Sequence, residues 1–118
     1  MLKVMRYMFK DYKLYVEDML EFISKLEKYT KNITFEQFLE DDLLQDAVLR
    51  NLTVMGEAAK HIPEELRLNN PSIKWRQIIG LRNILIHAYP NIDEELVWNI
   101  VKNDLSGLKE SLKNMLES

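Results

Sequence analysis

The sequence predicts an all-α protein: an antiparallel bundle of four to five helices in a single domain spanning residues 1–118. Apolar residues recur at intervals of three and four along most of the chain, the spacing of one face of a helix. Only three glycines and three prolines interrupt 118 residues. No segment alternates apolar and polar residues as a half-buried strand would, and there is no internal repeat or low-complexity stretch.

The first helix is marked by Tyr12, Val16, Met19, Ile23 and Leu26, with Lys13, Glu17, Asp18, Lys25 and Lys28 off that stripe. The pattern breaks over residues 30–33. Thr34-Phe35-Glu36-Gln37 then has the form of a helix start, with Thr34 as N-cap. A second long stripe, Leu44, Val48, Leu52, Met55 and Ala59, predicts a helix over about residues 42–60. Pro63 ends it or begins a short turn of helix through Leu66, and Asn69-Asn70-Pro71-Ser72 reads as a loop.

A third, shorter helix is expected from about Arg76 to His87, with Ile78, Leu81, Leu85 and Ala88 in one row and Pro90 disfavouring continuation beyond Tyr89. The last helix should start at Asp93 as N-cap, with Glu94 and Glu95 in its first turn. Val97, Val101, Leu105, Leu108, Leu112 and Met115 form its apolar stripe.

Composition narrows the class. With 47% hydrophobic and 30% charged residues, the chain can bury a core and is not expected to be disordered. It has no cysteine, which rules out disulfides and thiolate metal sites and suits a reducing cytosol. The first nine residues carry Lys3 and Arg6 within an apolar stretch and lack a small-residue cleavage site, so no signal peptide is expected. No apolar run approaches the ~20 residues needed to span a membrane. A cytoplasmic protein without membrane contact is therefore expected. A formal net charge of −3 argues against a broadly basic nucleic-acid binder but leaves room for a local phosphate site.

Chemistry concentrates in Arg82-Asn83-Ile84-Leu85-Ile86-His87-Ala88-Tyr89. Asn83 and His87, four apart, share one helix face. Arg82 and His87 differ by about 140° on an ideal helix, so one straight helix does not aim both at a small ligand. The length of Arg82, distortion near Pro90 or a second subunit could close the gap. Ile84 and Ile86 lie outside the row of Ile78, Leu81, Leu85 and Ala88, which suggests burial on more than one side. A two-fold dimer would cover that surface and bring two copies of Arg82 and His87 together. Two histidines could take and deliver protons, and arginine could hold a phosphate.

A structural reading competes with this one. Arg82 could pair with a carboxylate, Asn83 could bond within a loop, His87 could cap the helix, and Tyr89 could plug the bundle edge. His61, Trp75 and Trp98 read as structural residues: a helix-end residue and two packing anchors. Gly56 beside Glu57 is compatible with close helix contact or with support for a cleft arginine. Neither histidine has metal-ligand spacing to carboxylates, so no metal or cofactor is expected.

The segment resembles the HEPN superfamily and, within it, the HepT-like toxins of prokaryotic toxin–antitoxin pairs. Arg82, four intervening residues, His87, Ala88 and Tyr89 fit the motif of that branch, and Asn83 matches the usual polar residue after the arginine. The flanks agree: 45–52 and 56–60 resemble the family's second helix, 75–81 lead into the motif, and Ile92-Asp93 and Val97-Trp98 match the next helix. Ala88 often corresponds to glycine in relatives. The resemblance covers roughly residues 11–110.

It implies an all-α homodimer with a composite cleft and a metal-independent endoribonuclease activity on RNA. Arg82 and His87 would be catalytic, with Asn83 in support. It also implies a type VII-like toxin–antitoxin system, in which a nucleotidyltransferase antitoxin encoded nearby transfers AMP to Tyr89 and can join the toxin in a higher assembly. The alternative is a non-catalytic HEPN module that partners a nucleotidyltransferase or binds nucleotide through the same segment.

Overall fold

The computed structural model describes residues 11–87 and 93–117, apart from the side chains of Arg82 and of residues 84–87. Among these residues, seven α-helical segments and one π-helical turn follow in order: α1 (Tyr12–Thr30), α2 (Phe35–Glu40), α3 (Asp42–Lys60), α4 (Glu64–Leu68), α5 (Trp75–His87), α6 (Glu94–Asn99), the π turn (Ile100–Asp104) and α7 (Leu105–Glu117). No strand occurs among the described residues. The last three segments form one interrupted arm, so four long helical arms carry the bundle and α2 and α4 are short connectors.

Capping side chains set several starts. Asp11 accepts a bond from the Lys13 amide at 3.0 Å and opens α1. Thr34 and Gln37 form a reciprocal capping box at α2: the Gln37 amide donates to Thr34 Oγ1 (3.1 Å), and the Thr34 amide donates to Gln37 Oε1 (2.9 Å). Asp41 caps α3 through the Leu44 amide, and Asp93 caps α6 through the Leu96 amide, both at 3.0 Å. The break after α1 turns on Asn32, whose φ of 59° lies in the left-handed region that asparagine tolerates.

The apolar stripes meet in one core. Val16, Met19, Ile23 and Leu26 of α1 pack with Val48, Leu52, Met55 and Ala59 of α3, and with Val97, Val101, Leu105, Leu112 and Met115 of the last arm. α3 is the central helix, lying along α1 on one side and α5 on the other. Phe38 of α2 is buried and stacks obliquely on Trp98, 5.1 Å between ring centroids, with Phe35 on the same indole at 6.0 Å. Trp98 is thus the packing anchor expected. Short differences from the sequence reading are local: α4 runs to Leu68 rather than Leu66, and α5 begins at Trp75.

The π turn is the larger difference, because the apolar stripe from Val97 to Met115 predicts one continuous final helix. Its Lys102 reaches the end of α1, donating to the Thr30 carbonyl oxygen at 2.6 Å while its ammonium lies 4.9 Å from the centre of the Trp98 ring.

Candidate functional site on the motif helix

The motif helix is held at its start and along one side. Trp75 is buried and donates its indole N–H to the Asn70 carbonyl at 3.1 Å. Asn70 Nδ2 in turn donates to the Leu66 carbonyl at 2.9 Å, so α4, the loop and the start of α5 form one connected unit. Ile78 and Leu81 then face inward, both buried. Opposite them α3 presents Gly56 and Met55, and the two backbones approach closely at Gly56. This is the close helix contact that Gly56 leaves open in the sequence. Glu57 beside it is half-buried.

Arg82, Asn83 and His87 all belong to α5, so the expected helical placement of the motif holds for its backbone. Asn83 is exposed. On helical geometry its position lies about 160° from that of Leu81, away from α3. The side chains of Arg82 and His87, and the whole of Ala88, Tyr89 and Pro90, lie outside the described residues, as does the expected end of the helix near Tyr89. Asn83 and His87 share a face by register, while Arg82 stands about 140° from His87.

A groove of about 320 Å³ lies along another side of α5, between it and the last arm. Ile73, Ile78, Leu81, Ile100, Leu105 and Leu108 give it an apolar lining. Lys74, Gln77 and Asp104 supply polar groups, but Asn83 does not line it. It is therefore distinct from the face that carries Asn83.

The remaining polar candidates read as structural. His61 follows the last residue of α3, its amide bonds the Ala58 carbonyl at 3.1 Å, and its ring stacks on Tyr15 at 4.9 Å between centroids. Among the described residues, no group of three or more histidines, aspartates or glutamates could hold a metal ion. No helix among them is long and apolar enough to cross a membrane.

The bundle, helical throughout the described residues and carrying the Arg–Asn–His segment on α5, fits the HEPN type of domain that the family match shows. The ribonuclease HepT-like family profile matches residues 19–115, and the chain belongs to that family. A probable ribonuclease HepT from Thermococcus cleftensis is 40% identical over 106 residues, covering 90% of this chain and 96% of that protein. A Methanocaldococcus jannaschii protein named "Gamma-glutamylcyclotransferase and putative RNase" is 40% identical over 108 residues, 92% of this chain. The chain spans about half of that longer relative, 49% of its length. The mRNA nuclease HepT of Shewanella oneidensis is 28% identical over 98 residues, covering 63% of this chain and 74% of that protein. No solved structure matches.

Proposed function

We propose that this protein is a metal-independent endoribonuclease and the toxin of a toxin–antitoxin pair, acting as a homodimer whose cleft forms where two copies of α5 meet. The observation that carries the reading is the Arg82–Asn83–His87 segment on α5 of a HepT-like domain, with Asn83 exposed and the opposite row of α5 held in the core. The names of the relatives, ribonuclease and mRNA nuclease, support RNA as the substrate.

The chemistry follows from the residue types. A ribose 2′-hydroxyl attacks the adjacent phosphorus, and the bond from phosphorus to the 5′-oxygen breaks. One His87 takes the proton from the 2′-oxygen, and the His87 of the second copy delivers a proton to the departing 5′-oxygen. Arg82 binds the phosphate and offsets charge as the fifth oxygen closes in. Asn83 supports the phosphate through its amide. The products are a 2′,3′-cyclic phosphate and a 5′-hydroxyl.

Tyr89 is the switch. Its phenol oxygen attacks the α-phosphorus of ATP on the nucleotidyltransferase antitoxin, pyrophosphate leaves, and the AMP on Tyr89 fills the cleft with an anion that competes for Arg82.

Incubating the purified full chain with RNA in the presence of a chelator tests the first part. Cleavage by the wild type and its loss in Arg82→Ala and His87→Ala, with the fold intact by circular dichroism, is expected. Cleavage retained by either variant overturns the assignment. For the switch, an AMP-sized mass increment should appear with the antitoxin and ATP and be absent in Tyr89→Phe. An increment that persists in that variant removes Tyr89 from the scheme.

A further inference from the structure

The face of α5 opposite its buried row carries more than Asn83. Arg76, Gly80, Asn83 and His87 are spaced four, three and four apart, and their register positions fall within about 60° on helical geometry. Ile78 and Leu81, the buried residues, point the other way. Arg76 and Asn83 are exposed.

Two of these residues contradict the local rules of helix building. Arg76 stands in the first turn of α5, where the helix dipole disfavours a cation, and that turn has no acidic residue to offset it. Among the described residues it makes no ion pair and no side-chain hydrogen bond. Gly80 is a helix-interior glycine, a poor choice against alanine. Gly56 has a packing reason for lacking a side chain, but a Cβ on the half-buried Gly80 would meet nothing within 4 Å among the described residues. Among the described residues, neither side-chain position makes a contact that offsets its local cost. Departures from local preference that bring no structural return concentrate at functional surfaces. The whole of α5 also lacks a carboxylate, in a chain of net charge −3.

We infer that Arg76 and Gly80 extend the site into a track for the RNA backbone, Arg76 binding a phosphate remote from the cleaved bond and Gly80 letting the strand lie close to the helix. The inference rests on the ribonuclease reading above. Arg76 lies eleven residues from His87, or about 16 Å along the helix axis. It therefore binds a phosphate away from the one that reacts and acts on affinity rather than on the chemical step. Its guanidinium is suited to a phosphate through two parallel N–H donors. Gly80 adds no contact of its own and keeps the path between Arg76 and Asn83 open.

The test uses the full-length chain and an uncleavable 2′-O-methyl RNA oligonucleotide, with affinity measured by fluorescence anisotropy across a salt series. Arg76→Ala should weaken binding roughly tenfold. It should also lower the slope of log affinity against log salt by about 0.7, the loss of one phosphate contact on a single strand. Gly80→Ala should weaken binding without changing that slope. Arg50→Ala, an exposed arginine on α3, should change neither. On cleavable RNA, Arg76→Ala should raise KM and leave kcat close to the wild-type value.

Wild-type affinity and slope in Arg76→Ala, from a protein that still cleaves RNA, overturn the track and leave the ribonuclease reading standing. A wild type that cleaves no RNA overturns both. Dissociation of the dimer by Arg76→Ala or Gly80→Ala in sedimentation also overturns the track, by assigning the stripe to contact between copies of this chain.

Discussion

A Cβ placed on Gly56 would lie 2.6 Å from the carbonyl oxygen of Ile78, so α3 and α5 meet there backbone to backbone. No real side-chain carbon tolerates that distance. The contact fixes how deeply the motif helix sits against the central helix. It also sets which face of α5 turns outward, because Ile78 and Leu81 are buried on the near side and Asn83 stands opposite.

Gly56→Ala is therefore expected to destabilise the protein, although alanine is the better helix former. The opposing atom is backbone and cannot rotate away, so α5 has to move outward. Overpacking of this kind costs about 1–3 kcal/mol. Urea unfolding should show a lowered midpoint at unchanged slope. Because the displaced element carries Arg82 and His87, RNA cleavage should fall with it, in proportion greater than the unfolded fraction.

Gly107→Ala should do the reverse. This glycine is inside α7, and among the described residues an added Cβ would meet nothing within 4 Å. The substitution removes conformational freedom from the unfolded chain without strain in the native one. A gain of about 0.5–1 kcal/mol is expected in the same unfolding experiment. Equal effects at positions 56 and 107 would contradict the backbone contact with Ile78.

The Lys102 bridge ties the end of α1 to the last arm through one carbonyl and one indole. Lys102→Met keeps much of the aliphatic stem and removes the donor. It should cost about 1 kcal/mol, the usual net value of a hydrogen bond, with a small addition from the cation over Trp98. Trp98 fluorescence should change as its cation is lost. Thermal unfolding followed at that tryptophan reads both effects at once.

Much of the fold is legible in spacing alone. Val16, Met19, Ile23 and Leu26 on α1, and Val48, Leu52, Met55 and Ala59 on α3, are buried as their three-and-four spacing requires. Thr34, Asp93 and their partners cap where their side chains allow. The π turn leaves no mark in propensity, because the residues within it are ones that α-helices also carry. Its trace is geometric: Val97, Val101 and Leu105 are spaced four and four, which on an α-helix drifts by about 80°, yet all three are buried. A wider turn at Ile100–Asp104 takes up that drift. The stripe of Arg76, Gly80 and Asn83 was also present in the sequence. It is hidden there by the apolar row, and only the burial of Ile78 and Leu81 and the lack of a close neighbour at Gly80 among the described residues separate the two faces.

The composite cleft makes a quantitative prediction about mixed subunits. If one cleft needs His87 from both copies, a dimer of one wild-type and one His87→Ala chain lacks either its acid or its base. Losing a positioned proton-transfer group lowers the rate by about 10²–10⁴-fold, so such a dimer is effectively silent. Equal mixing with full subunit exchange pairs about half of the wild-type chains with a variant. RNA cleavage per wild-type chain should then fall to about half, and further as the variant is added in excess. A site complete within one chain would instead keep its activity per wild-type chain constant at every ratio. The Arg82→Ala variant should silence its partners in the same way, whereas Arg50→Ala, away from α5, should dilute nothing. Initial rates on one RNA, measured before and after exchange, distinguish the two arrangements and show whether the 140° between Arg82 and His87 is bridged by a second copy of α5.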